Sequence, residues 1–95
     1  MQISEFQEMM KHLYFERDFN RVVDGTFTWL VDDVAELGEE LKGTFKKATE
    51  KEFADVIAWL ASLANVVGID LETATLDKCN NKCPKCQGTP CKCTF

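Results

Sequence analysis

The first 83 residues of this 95-residue chain contain no proline, so nothing before Pro84 bars the backbone from a continuous helix. Apolar residues recur there at steps of three and four, the spacing of one face of an α-helix. No alternating pattern indicates a strand. The sequence therefore predicts an all-α fold: an antiparallel bundle of three long helices and one short helix, followed by a short Cys-rich tail.

Capping residues give the expected ends of these helices. Ser4 and Thr26 are the predicted N-caps of the first two helices, and the Asp24-Gly25-Thr26 run is the expected break between them. Gly68 is the predicted C-cap of the third helix, and Asp70 precedes the fourth. The expected helices span residues 4–18 or slightly beyond, 27–42, 47 or 50 to 67, and 71–78.

The charge of the chain divides near Asp77. Residues 1–77 carry a formal charge of −9 and residues 78–95 carry +4, while all five cysteines and both prolines follow Asp77. We therefore divide the chain into a helical domain, residues 1–78, and a Cys-rich tail, residues 79–95.

The same composition argues against several classes of partner. A net charge of −5 disfavours nucleic acid as the main partner. The longest uncharged stretch is too short to span a bilayer, and no export signal opens the chain, so we expect a cytoplasmic protein with no membrane anchor.

Two of the predicted helices carry acid pairs beside their apolar stripes instead of opposite them. The pairs are Asp33 with Glu36 and Glu52 with Asp55. If the helices pack on these stripes, the four carboxylates converge, and a divalent cation would relieve their repulsion. Hard oxygen ligands favour Mg²⁺, Mn²⁺ or Ca²⁺. The alternative is a solvated acidic edge with incidental salt bridges.

The order of these acids resembles a family signature. The E-E-x-x-E … E-x-x-D motif of the MazG-type nucleoside triphosphate pyrophosphohydrolases is similar to WLVDDVAEL at residues 29–37 and EFADV at residues 52–56. The segment AWLASLANVVGIDLE at residues 58–72 resembles that family's third helix and the turn into its fourth. The similarity extends over about residues 10–78.

The resemblance implies an all-α, Mg²⁺-dependent hydrolase that cuts a nucleoside triphosphate between its α- and β-phosphates. It also implies a homodimer or tetramer, and two Mg²⁺ ions per site, with Mn²⁺ as an alternative. The metal ligands carried over are Asp33, Glu36, Glu52 and Asp55. Asp32 and Glu39 are the candidate acceptors of the proton from water. The family's paired glutamates are replaced here by Asp32-Asp33, which shortens one ligand by a methylene.

Cationic, aromatic and amide side chains are the expected substrate contacts. Arg17 and Arg21 are candidates for the phosphates, and Trp29 and Trp59 for stacking on the base. Asn65 is a candidate for a hydrogen bond to sugar or base. For each of them, packing, an oligomer interface or a solvated surface is the alternative.

The tail contains a cysteine pattern of its own. The four thiols of Cys83, Cys86, Cys91 and Cys93 suit tetrahedral Zn²⁺, and Cys-Pro-Lys-Cys resembles half of a zinc knuckle. The spacing is tighter than in usual zinc ribbons, so disulfides, an iron–sulfur cluster and free thiols stay open as alternatives. The role of Cys79 is also open.

Two functions from different classes follow. The first is the Mg²⁺-dependent pyrophosphohydrolase described above. The second is a non-catalytic MazG-like helical scaffold whose zinc-knuckle tail docks a partner, since Asp32-Asp33 departs from the family's motif.

Overall fold

The computed structural model of the chain describes residues 1–21 and 23–94, and this part contains four α-helices and no strand. The helices are α1 (Ile3–Asn20), α2 (Val23–Glu40), α3 (Lys46–Val67) and α4 (Leu71–Lys78). The predicted all-α fold with three long helices and one short helix is therefore confirmed. The cysteine-containing segment follows α4.

Two of the predicted caps are confirmed at the turn between α3 and α4. Gly68 ends α3 in the left-handed conformation, with φ at 76°, and its N–H reaches the carbonyls of Ala64 and Asn65. Asp70 then caps α4, because its carboxylate accepts a hydrogen bond from the Glu72 N–H at 3.1 Å. This turn ends one helix and begins the next within three residues.

The predicted N-cap Ser4 is wrong, because α1 begins one residue before it, at Ile3. Gln2 occupies the N-cap position instead, and the Glu5 carboxylate accepts a hydrogen bond from the Gln2 N–H at 3.0 Å. A glutamate three residues into the helix reaches back to the cap in the manner of a capping box.

The predicted break at Asp24-Gly25-Thr26 is also wrong, because α2 begins at Val23 and includes all three residues. The neighbouring side chain explains the glycine. A Cβ atom on Gly25 would lie 2.8 Å from Cγ of Arg21. Gly25 therefore leaves room for the Arg21 side chain to cross the helix surface, and Thr26 is buried within it.

Helix α3 is central, since α1 and α2 both pack against it. Helix α2 runs antiparallel to α3: Trp29 stacks on Trp59, and Glu36, further along α2, meets Glu52 nearer the start of α3. This antiparallel pairing places acidic and aromatic side chains of both helices along one seam.

Helix α1 lies along the other half of α3, also antiparallel to it. The buried Gln7 side chain joins the elements, donating to Asn65 Oδ1 at 3.0 Å and to the Ile69 carbonyl at 2.7 Å. Its own Oε1 accepts a hydrogen bond from the Leu71 N–H at 2.9 Å. One glutamine thus ties α1 to the end of α3 and to the first residue of α4.

Helix α4 turns by 102° from α3 and packs against α1. The Ser4 N–H donates to Glu72 Oε1 at 3.2 Å across this contact. Within the described ranges, no helix by itself combines the length and the apolar character needed to cross a membrane. The bent pair of α3 and α4, taken together, has that length and apolar composition.

The contact faces of α2 and α3 are displaced from their apolar stripes. The buried side chains of α2 and α3 are small or polar, with Asp33 on α2 and Ala61 and Ser62 on α3 among them. Eight large apolar residues of the two stripes stay 42–60% exposed. We call this surface the apolar face: Phe27, Val31, Val34, Leu41, Phe53, Ile57, Leu60 and Val67. The helices therefore pack on the acid-bearing flank, where small side chains permit close approach, and not on the stripes as expected.

Candidate metal centre and substrate surface

Three carboxylates converge where α2 meets α3. Asp33 and Glu36 lie one helical turn apart on α2, and Glu52 faces them from α3. Each offers an oxygen atom within 4.8 Å of the other two. Asp33 is buried and Glu52 is half-buried. We call these three residues the carboxylate cluster.

The cluster is electrostatically strained. Burial raises the pKa of Asp33, and the charges of Glu36 and Asp55 raise it further. A hydrogen bond with the Trp59 side chain lowers this pKa in part. Burial also raises the pKa of Glu52, and the same two carboxylates add to the effect.

The donor set fits a divalent cation. Glu52 Oε2 is buried and finds no hydrogen-bond partner among the described residues. A cation would accept that oxygen as a ligand and remove the repulsion within the carboxylate cluster. Oxygen donors alone favour Mg²⁺ or Mn²⁺ over softer metals.

The other predicted carboxylates lie around the cluster. Asp55, one turn after Glu52, is half-buried and lines a cavity of about 220 Å³. Asp32 is exposed. Glu39 is also exposed, and its Oε1 lies 3.4 Å from Nζ of Lys42. The structure therefore places Asp55 beside the cluster and leaves Asp32 and Glu39 on the solvent side of α2.

Four of the predicted substrate contacts meet next to the cluster. The rings of Trp29 and Trp59 stack with centroids 6.0 Å apart and planes inclined by 9°. The guanidinium carbons of Arg17 and Arg21 lie 5.7 and 5.1 Å from the Trp59 ring centroid. We call these four residues the arginine–tryptophan surface.

A buried acid that the sequence analysis did not single out holds both arginines. Asp18 is 1% exposed, and its Oδ1 lies 3.3 Å from Arg17 Nη2 and 3.6 Å from Arg21 Nη1. Arg17 also lies over the Tyr14 ring at 4.4 Å. Asp18 and Arg21 are three residues apart, the spacing of a helical ion pair, and that spacing is the sequence signal.

A cavity lies between Asp55 and part of the arginine–tryptophan surface. Its volume is about 220 Å³, and it opens between α1 and α3. Its lining includes Arg17, Asp55 and Trp59 together with Met10, Tyr14 and Ser62. The cavity therefore has a carboxylate and a guanidinium on its wall as well as aromatic surface.

Asn65 lies elsewhere. Its Oδ1 accepts from Gln7 Nε2 and its Nδ2 donates to the Gln7 carbonyl, both at 3.0 Å. The structure thus places Asn65 in the contact between α1 and the end of α3, away from the two tryptophans.

The predicted cysteine ligands also converge. The sulfurs of Cys83, Cys86, Cys91 and Cys93 all lie within 4.8 Å of one another, and every cysteine of the chain is a free thiol. Cys79 is exposed and lies outside this group. Backbone N–H groups of Lys92 and Gly88 lower the pKa of the Cys86 thiol to about 6. Neighbouring thiols, Cys91 first, raise the pKa of Cys93 to about 11. We call the four the cysteine cluster.

The fold and the carboxylate cluster define an all-α protein with an acidic groove between two antiparallel helices, whose oxygen donors fit a divalent cation. The family model of the MazG nucleotide pyrophosphohydrolase domain matches residues 22–87, and the chain belongs to this family. The match includes the carboxylate cluster and Asp55, and it ends between Cys86 and Cys91. No curated protein matches the chain.

Proposed function

We propose that this protein is a Mg²⁺-dependent nucleoside triphosphate pyrophosphohydrolase. It cleaves the substrate between the α- and β-phosphates, and it releases a nucleoside monophosphate and pyrophosphate. The observation that carries the proposal is the convergence of Asp33, Glu36 and Glu52 beside the arginine–tryptophan surface. Membership of the MazG family supports a nucleotide as the substrate.

The carboxylates are the proposed ligands of the metal. Asp33, Glu36 and Glu52 lie within 4.8 Å of one another, and Asp55 is the proposed fourth ligand. Two Mg²⁺ ions per site are proposed, and Mn²⁺ is the alternative. Bound Mg²⁺ supplies charge neutralisation on the phosphate oxygens and lowers the pKa of an attacking water molecule.

The side chains around the cluster complete the proposed site. Arg17 and Arg21 bind the phosphate oxygens, and Trp59 and Trp29 offer a flat surface for the base. Stacking of this kind selects a planar ring without reading its edge, so we propose a nucleoside triphosphate without assigning its base.

The proton released by the attacking water needs an acceptor. Asp32 and Glu39 are the candidates, because both are exposed carboxylates on α2, next to the cluster along the helix. We assign Asn65 to stability instead of substrate binding, because Gln7 already occupies both atoms of its amide.

We further propose that the protein acts as a homodimer, with a tetramer as the alternative. The apolar face leaves eight large side chains exposed, seven on two adjacent helices and Leu41 directly after α2. A second copy of the chain carries the same apolar face, and pairing the two would bury both.

A matched pair of variants tests the proposed reaction. Glu52→Gln removes a ligand charge from the carboxylate cluster, whereas Glu50→Gln makes the same change on the exposed side of α3. We expect Mg²⁺-dependent release of pyrophosphate from a panel of nucleoside triphosphates. We expect Glu52→Gln to lower kcat by at least about a hundredfold. Removing a residue that only hydrogen-bonds to a metal ligand already lowers activity by up to about a hundredfold, and Glu52 is itself a proposed ligand. Glu50→Gln should match the wild type.

Other outcomes overturn the proposal. Release of inorganic phosphate without pyrophosphate would assign a different bond. No turnover with Mg²⁺ or Mn²⁺ across the panel, from a folded wild-type protein, would favour the non-catalytic scaffold.

A further inference from the structure

We propose that the cysteine cluster is a structural zinc site, in which Cys83, Cys86, Cys91 and Cys93 bind one Zn²⁺ and Cys79 is not a ligand. This inference is independent of the proposed reaction, because the carboxylate cluster shares no residue with it.

The sulfur positions fit one tetrahedral ion. Zn–S bonds of about 2.3 Å place the sulfurs of a tetrahedral site about 3.8 Å apart. The sulfurs of Cys83 and Cys93 are 3.7 Å apart, and all four sulfurs lie within 4.8 Å of one another. A disulfide would need about 2.05 Å, so the same spacing does not fit a sulfur–sulfur bond. An iron–sulfur cluster spreads its cysteine ligands over more than one metal atom, which a group this close does not favour.

Backbone N–H groups point at the sulfurs, as they do where thiolates carry negative charge. Cys86 Sγ accepts from the N–H groups of Lys92 at 3.3 Å and Gly88 at 3.4 Å. Cys91 Sγ accepts from the Cys93 N–H at 3.2 Å. These donors stabilise thiolates without adding a competing side chain.

The turn from Cys83 to Gly88 holds the first two ligands, Cys83 and Cys86, in place. The Cys83 N–H donates to the Gly88 carbonyl at 3.0 Å, and the Gln87 N–H donates to the Cys83 carbonyl at 2.8 Å. A Cβ atom on Gly88 would lie 2.8 Å from the Pro90 carbonyl oxygen and 3.3 Å from Cys86 Sγ. Glycine is therefore the residue that lets the chain close around the sulfurs.

The charge of the segment suits the same ion. Four thiolates around Zn²⁺ carry a net charge of −2, and the segment from residue 78 onward has four lysines and no acid. No side-chain carboxylate within it competes for the metal. The lysines screen the site's negative charge from solvent.

The segment also needs an internal anchor. The side-chain hydrogen bonds of residues 80–94 in the described structure stay within that segment. A piece of this length buries too little apolar surface to order itself, and a bound metal supplies that free energy in small domains.

Metal analysis of the full chain, purified under reducing conditions and loaded with ZnCl₂, tests the proposal. We expect one zinc per chain in the wild type and in Cys79→Ser, and near none in Cys86→Ser and Cys91→Ser. Cys79→Ser is the matched control, since it removes a thiol from the same tail but not from the cluster. Replacement of zinc by Co²⁺ should give the visible absorption of tetrahedral thiolate coordination in the wild type and in Cys79→Ser alone.

The remaining outcomes each overturn the proposal. Iron with acid-labile sulfide would indicate an iron–sulfur cluster, and a mass lower by four hydrogens under non-reducing conditions would indicate two disulfides. Zinc retained in Cys86→Ser, or lost in Cys79→Ser, would assign the wrong ligands. Circular dichroism of each variant shows whether α1–α4 remain folded, so that loss of zinc is read from an intact helical domain.

Discussion

The carboxylate of Asp33 is buried among other acids, and its pKa is raised above the ordinary value of 3.8 by burial first and by Glu36 and Asp55 next. The folded protein therefore keeps this proton at pH values where the unfolded chain has already released it. Without metal, the free energy of unfolding falls as pH rises from 3.8 through the raised pKa. A bound cation reverses the preference by favouring the charged carboxylate.

We therefore expect the stabilisation by Mg²⁺ to grow with pH. The difference between the melting temperatures measured in Mg²⁺ and in chelator should be smallest at acidic pH, where Asp33 is protonated, and should increase as pH rises through its raised pKa. Asp33→Asn should raise the melting temperature in chelator at neutral pH and abolish the response to Mg²⁺. An equal response to Mg²⁺ in wild type and variant would contradict the role of Asp33.

Asp18 contacts Arg17 and Arg21, so we expect it to act on the proposed site through them. Asp18→Asn keeps the shape of the side chain but removes the charge that holds the two guanidinium groups. We expect KM for the nucleotide to rise about tenfold while kcat stays within about twofold, because binding is weakened and the carboxylate cluster is untouched. Steady-state kinetics measures KM and kcat separately, and Asp24→Asn on the exposed side of α2 is the control. A fall in kcat with unchanged KM would show that Asp18 does not act through phosphate binding.

At the scale of the helices, periodicity predicted which elements form, and local chemistry predicted only some of their ends. Gly68 ends α3 through its own backbone conformation, and Asp70 caps α4 through its own side chain, so the sequence predicts these two helix ends directly. Gly25 serves a neighbouring side chain, Arg21, and such a contact is invisible in a linear pattern. The predicted start of α2 is wrong because Gly25, expected to break the helix, lies within it.

Gln7 is the polar centre of the contact among α1, α3 and α4. Gln7→Leu keeps the side-chain volume but leaves the Leu71 N–H, the Ile69 carbonyl and Asn65 Oδ1 without their partner. We expect the free energy of unfolding to fall by about 2 kcal/mol, the usual cost of unpaired buried polar groups. Urea denaturation followed by circular dichroism measures it. Glu8→Leu, at the exposed neighbouring position, should change stability by much less. A Gln7→Leu protein as stable as the wild type would show that these bonds add nothing.

At the scale of the whole molecule, the apolar face is the main feature that the spacing did not predict. Helical projection placed the acids beside the stripes, but Asp33, Glu36 and Glu52 meet because the helices pack on that acid-bearing flank and not on the stripes. It did not show which part of each stripe the partner helix covers, because packing depends on side-chain size on both helices. Asp18 was missed for a similar reason, since its burial depends on the contact of α1 with its neighbours.

The proposed homodimer gives the apolar face its test. Ile57 lies at the middle of this surface on α3 and is 51% exposed. Ile57→Asp places a charge where a second copy would pack, so we expect the mass in solution to fall from that of a dimer to that of a single chain. Light scattering after size-exclusion chromatography measures it. Leu76→Asp makes the same kind of change on exposed α4 and should leave the mass unchanged. A single chain in the wild type would contradict the dimer.

The stacked pair Trp29–Trp59 contains both tryptophans of the chain. All indole emission therefore originates within one small region, next to the carboxylate cluster and the two arginines. The two indoles therefore report on the site by fluorescence, since a nucleotide that inserts between or beside these rings should quench their emission. The nearly parallel rings should also give a coupled signal in the near-ultraviolet circular dichroism spectrum. Titration of unlabelled protein can follow occupancy of the site even in a variant that has no turnover.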